Sequence, residues 1–108
     1  MQISKIYDEL FEFGLTKSQI HFSTLWLGRS KRYFSHLSAI QREPGLATLC
    51  ALEWRLRTVA THIGDCDLAR HLGDIADELA AHIMRRGIVD LRYRHRAWRR
   101  ISPHPSPL

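Results

Sequence analysis

Lys31, Arg32, Tyr33, Ser35 and His36 stand within one short stretch, and each carries a side chain that can hydrogen-bond. Lys31 and Arg32 are cationic, and His36 becomes so on protonation. Phe34 and Leu37 are interleaved with them at a spacing of three. If the stretch is helical, the two apolar residues turn inward and the five polar ones share the opposite face. The chemistry open to such a face is recognition of base edges. Arg or Lys donates to guanine O6 and N7, while Ser and His serve other donors and acceptors in the major groove. The competing reading is a solvated face on a surface helix.

Other elements must hold this face in place. Ile3, Ile6, Tyr7, Leu10 and Phe13 recur at helical spacing, with Lys5, Asp8, Glu9 and Glu12 between them. This predicts a first helix over residues 3–13 that packs, with Ser4 as a possible cap and Gly14 as its stop. A second helix is expected from a cap at Thr16 or Ser18 to Trp26 or Leu27, with Ile20, Phe22, Leu25, Trp26 and Leu27 held on more than one side. Gly28 permits a sharp turn. Ser30 is a good N-cap for a third helix over 31–40. Glu43, which precedes Pro44, belongs to a loop. A fourth helix starts near Gly45 and carries Leu46, Leu49, Cys50, Leu52, Trp54 and Leu56, ending between Thr61 and Gly64.

The ordered string from Gly14 to residue 57 resembles the helix-turn-helix of the Cro and lambda-repressor type. Gly14-Leu15-Thr16 matches the entry, and Gln19 the Gln at the start of the second helix. Gly28-Arg29-Ser30 matches the turn, and Phe34 and Leu37 the buried pair of the recognition helix. Arg42-Glu43-Pro44 matches the basic loop, followed by Leu46 and Leu49. From Gly28 to Leu49 the register needs no gap. Between Gln19 and Gly28 this chain is about one residue longer than the family's pattern. Ser38 and Ile40 replace the acidic residue and glycine that commonly follow the recognition helix. The resemblance implies base contacts by Lys31, Arg32, Tyr33 and His36, with Ser35 on the same face. It implies phosphate contacts by Gln19, Ser30 and Arg42. Phosphate contacts set register, and base contacts carry specificity.

The second half begins with a possible cap at Asp65 or Asp67. A fifth helix is expected to run to about Arg86 and stop at Gly87. Leu68, Leu72, Ile75, Leu79 and Ile83 form its apolar stripe, widened by Ala69, Ala76 and Ala80. The stripe either covers the core of its own chain or pairs with its copy in a homodimer, which would read two half-sites about 34 Å apart. Beyond it, Arg85, Arg86, Arg92, Arg94, Arg96, Arg99 and Arg100 face a single acid, Asp90, with Tyr93, His95 and Trp98 interleaved. This segment reads as a basic arm that tracks phosphates or enters a minor groove, or as a solvated helix end or short strand. Ser102–Leu108, with Pro103, Pro105 and Pro107, reads as an unstructured tail. The expected organisation is a helix-turn-helix unit over 1–64, a packing or dimerising helix over 65–87 in the same compact unit, and an arm and tail over 88–108.

Bulk properties bound the function. A chain of 108 residues makes one small domain, and its 44% apolar content suffices for a core without a metal or disulfide. A net charge of +5 favours a polyanionic partner. Cys50 and Cys66 form no CxxC pair and read as interior thiols. No apolar run is long enough for a membrane span, and acids within the first apolar stretch argue against a signal peptide, so a cytoplasmic protein is expected. His62, Cys66 and His71 invite a metal reading, but they lack the paired short spacings of a structural zinc site. His82 reads as a packing residue beside the fifth helix's stripe. No nucleophile–base set and no Gly-rich phosphate loop is present, so neither catalysis nor a cofactor is expected.

The expectation is an all-α, five-helix, lambda-repressor-like domain with a long C-terminal helix and basic tail. Its partner would be double-stranded DNA, and its action transcriptional regulation, as a repressor and a dimer. The runner-up is an antitoxin-like or phage-encoded inhibitor, an adaptor that grips an acidic protein on the same fold. RNA binding, with Tyr93 and Trp98 stacking on bases, comes third.

Overall fold

The structure is a computed structural model that describes the backbone of residues 2–101 and the side chains of residues 2–88. It is all-helical. Among the described residues five helices follow one another: α1 (Ile3–Glu12), α2 (Gln19–His21), α3 (Tyr33–Ala39), α4 (Leu46–Ile63) and α5 (Asp67–Ile101). A π-helical turn, Phe22–Trp26, continues α2 directly.

α1 buries Ile6 and Leu10 and packs Ile3 and Tyr7 against the core, as its periodicity predicts. Ser4 does not cap it; Gln2 holds that position without a side-chain bond. Its other end closes on Gly14, which is left-handed at φ +73°. The Gly14 N–H donates to the Phe11 carbonyl at 3.0 Å and the Leu15 N–H to the Leu10 carbonyl at 2.9 Å. Those two bonds satisfy carbonyls that the helix end would otherwise leave orphaned.

Ser18, not Thr16, caps α2: its hydroxyl accepts the His21 N–H at 3.1 Å. Thr16 is buried, with Oγ1 2.8 Å from Nδ1 of His21. The Leu27 N–H reaches back five residues to the Phe22 carbonyl at 3.0 Å. A π turn accommodates one more residue than an α turn does. Gly28 then reverses the chain at φ +65°.

α3 starts later than the sequence suggests. Ser30 is not its N-cap; its carbonyl accepts the Tyr33 N–H in the preceding turn, and Arg32 occupies the cap position without a side-chain bond. The capping acceptor comes from another element. Ser23, fully buried in the π turn, accepts the Phe34 N–H on its hydroxyl at 3.0 Å, while its carbonyl takes the Arg29 N–H at 2.9 Å. One side chain therefore ties α2 to α3 and satisfies a buried donor, which would be costly left alone. Phe22 and Phe34 meet edge-on at 5.0 Å between ring centroids, and Tyr7 lies 5.3 and 5.1 Å from them. This aromatic cluster locks α1, α2 and α3 together.

α4 buries Leu49, Leu52 and Leu56 against Leu72, Ile75, Ala76 and Leu79 of α5. Trp54 and Cys50, counted with its apolar positions from sequence, face outward instead, Trp54 with 61% of its surface exposed. Arg57 joins the two helices outside the core, bonding to Glu53 at 2.8 Å and Asp77 at 3.0 Å. The hydrogen bonds that its guanidinium donates to those two carboxylates, Glu53 first, push its pKa above the usual arginine value.

α5 follows one of the two readings of its stripe and departs from expectation at Gly87. Its stripe is taken up within the chain: Leu72, Ile75 and Leu79 are buried and Leu68 and Ile83 pack at the margin. A dimer seam through those residues would have to expose the core. Gly87 also does not stop the helix, which runs on to Ile101. Glycine ends a helix by taking a left-handed conformation. Gly14, Gly28 and Gly64 have positive φ, and Gly87 does not. An interior glycine only weakens the helix, by about 1 kcal/mol relative to alanine. The segment read as an arm or short strand is therefore helical along its backbone to residue 101.

Candidate nucleic-acid interface

The polar face predicted for the third helix assembles, with adjustments. Lys31 and Arg32 lie in the turn that leads into α3, and Ser35 and His36 on the helix itself; all four are exposed. On the other side Phe34 and Leu37 are buried and hold the helix down. Ser30, Arg32, Tyr33, Ser35 and His36 line one open depression of about 440 Å³. Ser35 donates its hydroxyl to the Arg32 carbonyl at 3.1 Å, which leaves its oxygen lone pairs outward as acceptors.

Tyr33 differs from the other four. It is half-buried, packs against the core, and carries the Arg29 guanidinium over its ring at 4.9 Å. A cation at that distance from an aromatic face is attracted by the ring quadrupole. Tyr33 thus serves as a platform that positions a charge. Arg29 is a cation at this site that sequence reasoning passed over as the middle of the Gly-x-Ser turn. The available signal was its spacing of four from Tyr33, but that spacing means a contact only once the turn's path is known.

The residues assigned to phosphate do not gather at one point. Ser30 belongs to the depression, and Gln19 is exposed at the first position of α2. Arg42 lies beyond the far end of α3, exposed, where it lines a second depression with Ser38, Gln41 and residues 2–4 at the start of α1. The two arginine-bearing ends of α3 are thus separated by the length of the helix, about 10 Å for seven residues. The side chains of Arg92, Arg94, Arg96, Arg99 and Arg100 lie outside the described residues.

The histidines are spread out. Among the described residues no group of three or more His, Cys, Asp or Glu side chains is placed to hold a metal. His71 lies 3.7 Å from Glu9 and edge-on to Phe13, whereas His62 is exposed on the last turn of α4. His82, expected merely to pack, pairs with Glu43 of the α3–α4 loop at 3.2 Å. Among the described residues no helix is long and apolar enough to cross a membrane.

No curated protein and no solved structure matches this chain. A family model does match, over residues 3–99, and so takes in every helix up to the last turn of α5: the chain belongs to a family of unknown function, DUF6626.

Proposed function

We propose that this protein binds double-stranded DNA through the face formed by Lys31, Arg32, Ser35 and His36 and acts as a transcriptional regulator. The observation that carries the reading is the two-sidedness of α3. Its inner side is fixed by Phe34, Leu37 and the Ser23–Phe34 bond. Its outer side presents donors, acceptors and positive charge to solvent. A short helix so anchored suits insertion into the major groove, where such groups discriminate bases. Arg29 on Tyr33, and Ser30 beside them, would take the phosphate positions at one end of the helix, and Arg42 at the other. On this reading the helices would follow a lambda-repressor-like order, with the π turn taking up the longer stretch between Gln19 and Gly28. Regulation would then follow from occupancy of the DNA alone.

Because the 68–83 stripe is used internally, a dimer would need another surface. Met84 and Ile88, with 68% and 46% of their surface exposed, mark the face of α5 where one begins. The same exposed pair favours the second reading, in which α5 grips a protein partner and α3 reads nothing.

Selection from random duplexes at two salt concentrations tests the proposal. A recovered motif, weakened about equally at all its positions by salt, is the expected result. Arg32→Ala should then cost about 1–3 kcal/mol and relax one motif position. Arg42→Ala should weaken all sequences alike and lower the salt slope by about 1. Retention without a motif, or unaltered preference in Arg32→Ala, would show that α3 is not the reading element.

A further inference from the structure

The loop that leaves α3 is held from outside. Gln41 is left-handed at φ +53°, a conformation unfavourable for a side-chain-bearing residue, and no other described residue besides glycines adopts it. The Gln41 N–H donates to the Ser38 carbonyl at 3.3 Å and the Arg42 N–H to the Leu37 carbonyl at 3.0 Å. Glu43 and Pro44 follow before α4 begins. Across the sequence, α5 meets them: Nη1 of Arg86 donates to the Pro44 carbonyl at 2.8 Å and lies 3.4 Å from Oε2 of Glu43, the atom that Nε2 of His82 approaches to 3.2 Å. The Pro44 carbonyl lies ahead of α4's cap, outside the helix's own hydrogen-bond ladder, and Pro44 is buried. The guanidinium thus satisfies a backbone acceptor and a carboxylate at once, a charge-assisted arrangement stronger than neutral bonds.

We infer that Arg86, with His82 and Glu43, is a latch by which α5 fixes the exit of α3, making Arg86 a positioning residue for the face that reads DNA. α3 has only seven residues, so the turn closed by Gln41 and Arg42 is a large part of it. If the latch opens, the unfavourable conformation of Gln41 is relieved by unwinding that turn, and His36 and Ser35 lose their placement. Sequence alone assigns Arg86 to the cationic run of the C-terminal segment. The geometry gives its charge an internal partner instead, whereas neighbouring Arg85 is exposed. The latch stands on geometry alone; its consequence for DNA rests on the reading proposed above.

Hydrogen exchange on the full chain separates the two. In Arg86→Ala the amides of Gln41 and Arg42 should exchange about tenfold faster, the scale expected for one charge-assisted bond at a partly exposed site. Glu43→Gln should accelerate the same amides less, and serves as the second variant should Arg86→Ala lose the fold. Arg85→Ala removes an equal charge one position away and should leave them unchanged. Equal exchange in Arg86→Ala and the wild type would overturn the latch, as would equal acceleration in Arg85→Ala. Duplex binding supplies the second readout. Arg86→Ala should lower affinity for the selected motif several-fold more than Arg85→Ala, with the same salt slope as Arg85→Ala. If the wild-type chain retains no duplex, the DNA reading fails and the exchange result still decides the latch. If both variants lose affinity equally, Arg86 acts only as a charge and its positioning role is refuted.

Discussion

α1 and α3 end in the same way and with different residues. Each closes with an N–H of the left-handed residue bonded back three positions and the next N–H bonded back five. At the end of α1 the left-handed residue is Gly14; at the end of α3 it is Gln41. Glycine takes that conformation without a steric penalty, and glutamine does not. The α1 turn therefore carries no strain that an outside group must offset, although the Trp26 indole N–H donates to the Leu15 carbonyl at 3.2 Å and His71 of α5 meets Phe13 edge-on at 5.0 Å. The α3 turn is held by a side chain more than forty positions away, from Arg86. Both turns meet distant side chains, but only the turn after the helix that carries the candidate interface places a side-chain-bearing residue in the left-handed region. A less favourable turn that the surroundings must hold is the kind found at functional sites.

Three substitutions test this contrast. Phe34→Ala should have the largest effect, about 3–5 kcal/mol of lost stability, because it empties the aromatic cluster shared by α1, α2 and α3. Chemical denaturation measures it. A loss under 1 kcal/mol would mean that α3 is held by the latch and the Ser23 bond rather than by its buried side. Gly14→Ala should cost about 1–2 kcal/mol, since it places a Cβ in the left-handed region with no steric contact nearby to add to the penalty. Gln41→Gly should have the smallest effect and the opposite sign. Relief of the left-handed strain, less the entropy glycine adds to the unfolded chain, leaves a gain of about 0.5–1 kcal/mol. Should Gly14→Ala and Gln41→Gly both be neutral, the two turns would not differ in strain and the comparison would fall. In Gln41→Gly, Arg86→Ala should also perturb the loop less than it does in the wild type, because the latch then has less strain to hold.

Much of the frame was legible in the chain itself. Gly14 and Gly28 announce their turns, Ser18 is a cap with the acceptor its position needs, and the periodicity of Ile3, Ile6, Tyr7 and Leu10 fits the side that α1 buries. These are local matters, set by backbone sterics and by hydrogen bonds that span three to five residues. The candidate face around Lys31, Arg32, Ser35 and His36 was also visible, because Phe34 and Leu37 point the other way at helical spacing. Reading failed at α3's start because a distant group supplies what a local one could have, and at Gly87 for a local reason. Ser30 looked like the cap of α3, but the hydroxyl of Ser23 takes the Phe34 N–H, and the helix starts two residues later than 31. Gly87 looked like a stop, but a glycine terminates only where the chain turns left-handed.

What the sequence determined by itself is the helical character of the segments up to Gly87, the turns at Gly14 and Gly28, and the polar identity of one short face. Tertiary structure decided which way those elements are bound to one another. It turned the stripe of Leu72, Ile75 and Leu79 into core, made Tyr33 a platform for Arg29, and gave Arg86 to the loop behind α3. The physical reason is range. Helical periodicity and turn chemistry act within a few residues and can be read in order. A buried acceptor or a carboxylate can be answered by any donor that folding brings within 3 Å or so, and that donor's place in the sequence carries no mark of it.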